Sequence, residues 1–179
     1  MGSSGIEMSK LLNHIEKSKC GGHYVLRITS DKYVKELKIS AEDVFIISSI
    51  RWGFKNNYAI QSKRGSKVYL HKLILGLPDC MVDHINRDTS DNRRENLRLA
   101  TASENAMNRS PYKGKSYKGV STRVSKYTGK TTYIARLLVK RKCVYFKTFN
   151  NLEEAIKAYN ENAIKIFGEF ANINEEKYA

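Results

Sequence analysis

The densest run of polar side chains in the chain lies between Val82 and Asn105, and it holds the groups that hydrolysis of a phosphodiester requires. In that reaction a water must lose a proton, the phosphate charge must be neutralised and the leaving oxygen must be stabilised. A divalent cation on oxygen ligands can serve the last two needs. Asp83 is a charged oxygen ligand, and Asn105 can supply a neutral carbonyl oxygen. Two protein ligands leave positions for waters and phosphate oxygens, which suits Mg²⁺. His84 can take the proton, because an imidazole titrates at about 6.5. Taken alone, an Asp-His pair is more often surface or turn chemistry, and loops rich in Asn and Asp make turns through their own backbone.

Several elements must position these groups. Thr101 and Glu104 have the spacing of a capping box, which predicts a helix from Thr101 with Asn105 in its first turn. Asn108 and Arg109 then fall roughly on the same face. A helix start favours anions, so a phosphate beside Asn105 is expected. Asp83 and His84 pose a difficulty, because neighbours on a regular strand point to opposite faces. Either the strand ends or distorts there, or the two residues act from two sides of the phosphate.

Upstream, residues 6 to 19 read as a short helical lead-in with Leu11, Leu12 and Ile15 on one side. Tyr24, Leu26 and Ile28, then Leu37 and Ile39, alternate as strands do. Ser40 is placed to cap a short helix through Ile46 and Ile47, and Asn56-Asn57 marks a turn between strands. His71 to Gly76 is a short apolar stretch.

Downstream, Arg109 to Ser116 is a basic stretch with Pro and Gly, as in a linker. Three strands follow, around Val120–Val124, Tyr133–Val139 and Val144–Phe149. Asn151 with Glu154 predicts a capped helix bearing Leu152, Ala155, Ile156, Tyr159, Ala163, Ile166 and Phe167, ended by Gly168. Val120, Tyr133, Ala135, Leu137, Val144 and Phe146 are expected to face that helix. The outer face would then carry Ser121, Arg123, Ile134, Arg136, Leu138, Cys143, Tyr145 and Lys147.

The charge balance indicates the partner. There are 32 Lys and Arg against 18 Asp and Glu, a formal net charge of +14, spread along the chain. Such a field favours a polyanion, nucleic acid foremost. An acidic membrane surface is the competing partner, but no basic amphipathic helix with a large apolar face stands out, and no run approaches the roughly 20 apolar residues of a membrane span. Cys20, Cys80 and Cys143 lie far apart with no zinc-site spacing, so free thiols in a reducing, intracellular compartment are expected. Met1-Gly2-Ser3-Ser4-Gly5 has the make-up of a cloning remnant and is set aside.

The stretch from Val82 to Asn108 resembles the HNH endonucleases, in the branch found in phage and intron-encoded homing enzymes. The match is carried by Asp83-His84-Ile85-Asn86, by Asp91-Asn92-Arg93-Arg94-Glu95-Asn96-Leu97 and by Thr101-Ala102-Ser103-Glu104-Asn105. Trp52, Tyr58-Ala59 and Leu70-His71-Lys72-Leu73-Ile74 fit the segments preceding that motif, so the likeness covers residues 24 to 110. It implies a ββα-metal core holding one divalent ion per active site. By position, Asp83 and Asn105 are the metal ligands, His84 the general base and Asn96 the residue bracing the loop between the strands. Asn105 stands where the family name has its last His, which implies oxygen-ligated Mg²⁺ or Mn²⁺. His71 lies near the site, binds a phosphate or packs within its helix. Arg87, Arg93, Arg94, Arg98 and Arg109 are candidate DNA contacts.

Residues 115 to 174 resemble the Apetala2/ethylene-response-factor type of DNA-binding domain. Lys118-Gly119-Val120, Tyr133-Ile134-Ala135, Phe146-Lys147-Thr148-Phe149, Glu153-Glu154-Ala155, Ala158-Tyr159-Asn160, Phe167-Gly168-Glu169 and Asn172-Ile173-Asn174 carry the likeness. It implies a sheet set into the DNA major groove. Lys118, Arg123, Arg136, Tyr145 and Lys147 are the residues that would bind there. The family's Trp residues are absent, so its sequence preference does not transfer.

Together these features predict an α+β chain. A lead-in over 1–22 precedes an HNH nuclease domain over 23–110. A basic linker over 111–116 joins it to an Apetala2-like domain over 117–174. The function expected is metal-dependent cleavage of double-stranded DNA, with no membrane and no small-molecule cofactor, in the cytoplasm of a phage or bacterial type of host. A DNA-binding regulator with an inactive nuclease remnant is the alternative. An RNA-directed protein is a third reading, although no strand carries the aromatic pair of an RRM sheet.

Overall fold

Apolar alternation from Tyr24 to Ile39 folds back on itself, because each strand has one face to bury. In the computed structural model, which describes residues 14–30, 32–63, 66–111 and 116–175, the chain forms two compact units, Met1–Leu99 and Ala100–Ala179. The predicted residues Leu11 and Leu12, and residues 112–115 of the linker expected over 111–116, lie outside the described residues.

The first unit opens with three antiparallel strands, β1 (His14–Lys17), β2 (Tyr24–Ser30) and β3 (Tyr33–Ile39). The lead-in over 14–17 is therefore a strand rather than a helix, held by pairing of Ile15 with Leu26. Leu26 opposes Leu37 and Tyr24 opposes Ile39, which sends the apolar set to one side. A 3-10 turn leads into α1 (Val44–Ser48). Next come β4 (Gly53–Lys55), β5 (Tyr58–Lys63) and β6 (Ser66–Tyr69), paired antiparallel in that order, then α2 (Leu70–Ile74). Asn56 and Asn57 make the β4–β5 turn at φ of 51° and 67°, the left-handed region that asparagine tolerates.

The core beneath is Leu26, Leu37, Ile39, Ile47, Leu70 and Trp52. Each large apolar side chain so buried stabilises the fold by about 1.5–3 kcal/mol. The Trp52 indole N–H donates to the Ile47 carbonyl at 3.1 Å, which satisfies its polar edge inside the core.

Four further elements carry the motif: β7 (Met81–His84), β8 (Asp91–Asn92), β9 (Leu97–Ala100) and α3 (Ala102–Asn108). β7 pairs with β9, while β8 adds to β3 in parallel, with Lys38 opposite Asp91 and Ile39 opposite Asn92. The loop before β9 is fastened to the start of the chain by Arg94. Its Nη2 lies 2.7 Å from Oδ1 of the buried Asp43, and its backbone N–H donates to Ser40 Oγ at 2.9 Å. Ser40 thus anchors this loop and does not cap the following turn with its side chain.

The second unit contains α3, then β10 (Val120–Val124), β11 (Thr131–Val139) and β12 (Lys142–Phe149) in one antiparallel sheet, and α4 (Leu152–Phe167). Asn151 caps α4 by accepting from the Glu153 N–H at 2.6 Å, not through the expected box with Glu154. Ala155, Ile156, Tyr159 and Ala163 bury against Val120, Ala135 and Leu137, while Ile166 stays exposed. Gly119 is required where it stands. A Cβ there would lie 2.0 Å from the Tyr159 ring and 2.8 Å from the Arg136 carbonyl oxygen.

The third strand is inverted relative to expectation. Ala135 opposes Lys147 and Leu137 opposes Tyr145, with a register shift between Leu137 and Leu138. Opposed residues share a face, so Tyr145 and Lys147 stand on the helix side, and Tyr145 packs into the core. Val144 and Phe146 point outward and are exposed. The bulge shifts the alternation of β12 by one, a change that reverses every side chain of a strand.

Candidate active site

His84 ends β7, and its ring lies in a pocket of rings and amides. The His71 ring centroid is 5.3 Å away in an edge-on arrangement, and that of Tyr58 is 6.2 Å away. His84 Nε2 lies 3.3 Å from Asn92 Oδ1. The Asn92 amide is oriented by its other end, since Nδ2 donates to the Thr89 carbonyl at 3.2 Å. Nε2 therefore carries the proton and donates to Asn92, which leaves Nδ1 as the basic nitrogen. Burial holds the His84 pKa below its ordinary value, against the Asn92 hydrogen bond and the fields of Asp83, Asp88 and Asp91. The imidazole is thus neutral at neutral pH, the form a general base needs.

Asp83 faces elsewhere. Its Oδ2 accepts from Arg98 Nε at 2.9 Å and Nη2 at 2.7 Å, and both side chains are largely buried. The two adjacent residues thus contact different groups, in keeping with the alternation of a regular strand.

The loop between β7 and β9 is organised by Asn96. Its Oδ1 accepts from the Asn86 N–H at 2.9 Å, and its Nδ2 donates to Asn86 Oδ1 at 3.0 Å and to the Asp91 carbonyl at 2.7 Å. The Ile85 N–H donates to the Asn96 carbonyl at 2.8 Å. Asp91, almost fully buried, receives Arg93 through Nε at 2.8 Å and Nη2 at 2.7 Å. Burial would raise the Asp91 carboxyl, but the hydrogen bond and charge of Arg93 hold it below its ordinary value.

Asn105 lies in the first turn of α3, in the second unit, and is half-buried. The predicted capping box is present: Glu104 N–H donates to Thr101 Oγ1 at 3.2 Å and Thr101 N–H to Glu104 Oε2 at 2.7 Å. The other end of α3 is held by its own unit. Asn172 Nδ2 donates to the carbonyls of Asn108 at 3.2 Å and Arg109 at 2.8 Å. Lys118 Nζ donates to the carbonyls of Met107 and Arg109. These are carbonyls that a helix end leaves without intrahelical donors.

The candidate DNA contacts separate by what they touch. Arg93, Arg94 and Arg98 are engaged on Asp91, Asp43 and Asp83. Arg87 is exposed in the turn after His84, at φ of 67°. Arg109, Arg123 and Arg136 are exposed in the second unit. Lys147 places its ammonium 5.3 Å from the Phe149 ring on the helix side of the sheet. Asn92 and Tyr58 carry the family likeness in the sequence, but no site role was read for either. The spacing of Asn92 from His84 is its only signal of such a role, and nothing marks Tyr58 as a neighbour. His71 is buried in α2, and its ring is set edge-on to that of His84.

The buried Asp83 and His84 and the Asn96-braced loop thus belong to the first unit, and the capped helix that bears Asn105 belongs to the second. The profile of the HNH endonuclease family matches residues 73–107. An uncharacterized HNH endonuclease of Acanthamoeba polyphaga mimivirus is 32% identical over 138 residues, 73% of this chain and 70% of the viral protein. No solved structure matches the chain. The chain belongs to the HNH endonuclease family.

Proposed function

We propose that this chain is a metal-dependent endonuclease of duplex DNA, of the homing or phage type. His84 is the general base, Asp83 and Asn105 are metal ligands, and Asn96 braces the loop. The observation that carries this reading is the orientation of His84. Asn92 holds its Nε2–H, and burial keeps the ring neutral with Nδ1 basic.

The donor set fits a hard divalent cation. Among the described residues no three of His, Cys, Asp and Glu gather as a zinc site requires. Asp83 supplies a buried carboxylate and Asn105 is a carbonyl ligand, which suits Mg²⁺ or Mn²⁺. Such an ion, when bound, neutralises the scissile phosphate and the leaving oxygen. His84 takes the proton from water, and Asn92 fixes the tautomer that can accept it. Arg87 and Arg109 contact phosphates. The sheet and helix of the second unit serve as a DNA-binding module of the Apetala2 kind, with Arg123 and Arg136 on its exposed side.

One observation favours the alternative, a DNA-binding regulator with a silent nuclease remnant: Arg98 grips the oxygen that a metal would use. Supercoiled plasmid incubated with Mg²⁺, Mn²⁺ or EDTA separates the two. The nuclease reading expects metal-dependent nicking that drops at least about a hundredfold in His84→Ala, as loss of a general base does, and in Asp83→Ala. Cleavage retained in both variants sinks the residue assignment. Tight binding with no cleavage by the wild type establishes the regulator.

A further inference from the structure

A groove of about 900 Å³ opens within the second unit, beside α3. Arg109, Lys118, Arg136, Lys140 and Arg141 are in its wall, and among the described residues no Asp or Glu lines it. Arg109, Arg136, Lys140 and Arg141 are exposed, and among the described residues none of them pairs with a carboxylate. Lys118 is engaged on the α3 carbonyls, so its charge is fixed in place.

The β11–β12 turn supplies a second, independent observation. Val139 opposes Lys142, so Lys140 and Arg141 alone form the turn, at φ of 47° and 66°. Two successive left-handed residues favour Asn-Gly or Asp-Gly. The β4–β5 turn meets the same demand with Asn56-Asn57. At β11–β12 the chain places two long cations where the backbone disfavours them, and both line the groove. Non-glycine residues kept in disfavoured backbone regions cluster at functional sites.

We infer that this groove holds the phosphodiester backbone of the duplex DNA substrate, with Lys140 and Arg141 as phosphate contacts that no motif assigns. The inference rests on the chain binding DNA. It places the duplex along the wall that α3 shares with the sheet edge, beside the helix that carries Asn105, where Arg136 of the outer sheet face also reaches the groove.

The test is the full chain with Lys140→Asn and Arg141→Gly together, which installs the turn sequence the backbone prefers. Binding to a fluorescent duplex is measured in EDTA across a salt series, beside a Lys126→Gln/Lys130→Gln control that removes equal charge at the other end of β11. Expected is a higher thermal midpoint, affinity weakened about tenfold at low salt, and a log–log salt slope shallower by about two, the share of two phosphate contacts. Unchanged affinity and slope, a loss no greater than in the control, or a lower midpoint would each overturn the inference. Because nothing is cleaved in EDTA, a chain that binds through this groove yet cuts no plasmid refutes the nuclease reading and leaves this one standing.

Discussion

Arg98 sends both Nε and Nη2 to the same oxygen of Asp83, at 2.9 and 2.7 Å. Removing one member of a buried ion pair leaves an uncompensated charge and costs about 3–5 kcal/mol. Arg98→Met should therefore lower the thermal midpoint of the protein in EDTA. A cation on Asp83 would replace the lost guanidinium, so Mn²⁺ should raise the midpoint of the variant more than that of the wild type. A Mn²⁺ titration followed by differential scanning fluorimetry checks this. A variant whose midpoint ignores Mn²⁺ would show that Asp83 is not a ligand.

His71 makes the fold sensitive to mild acid. Burial, with smaller effects of His84 and Lys72, pushes its pKa down to about 4. In the unfolded chain the ring titrates at about 6.5, so the unfolded state takes up the proton first. The stabilisation is complete above pH 6.5 or so and is lost as the pH falls toward 4, by up to about 3 kcal/mol. Urea unfolding of wild type and His71→Phe between pH 7.5 and 4.5 measures it. The variant should lose less stability over that interval; an equal loss would place the acid sensitivity in other groups.

Asn172 ties α3 to the far end of its unit through the carbonyls of Asn108 and Arg109. Asn172→Ala leaves those acceptors without that donor, at a cost of about 1–3 kcal/mol. Amide exchange in α3 should accelerate while β11 and β12 keep their protection. Uniform acceleration across the unit would mean that Asn172 supports the fold as a whole instead of this helix.

What could be read from sequence divides by the range of the interaction. Thr101 with Glu104, Asn56-Asn57 and Gly168 act over a few residues, and each made the cap or turn its type dictates. The Asp83-His84 pair stood out because its motif is contiguous. The roles of Arg94 and Arg98 did not, since Arg94 meets Asp43 across 51 positions and Arg98 meets Asp83 across 15, and that of Arg93 escaped the reading although Asp91 is a near neighbour in sequence. The facing of β12 was lost to one bulge. Val144 and Phe146 satisfied an apolar pattern, yet the register after Leu137 turned Tyr145 and Lys147 inward in their place. Hydrophobic alternation predicts a face only where pairing is regular.

The second unit begins at Ala100, before the family motif ends at residue 107. This constrains how such a chain could be recombined. A gene fusion that attached a new C-terminal module within 111–116 would part the carbonyls of Met107, Asn108 and Arg109 from their donors on Lys118 and Asn172. A breakpoint that keeps each donor with its acceptor falls at or before Thr101. The transplantable cassette is therefore α3 together with the sheet and α4, and a crossover that respects it exchanges Asn105 along with them.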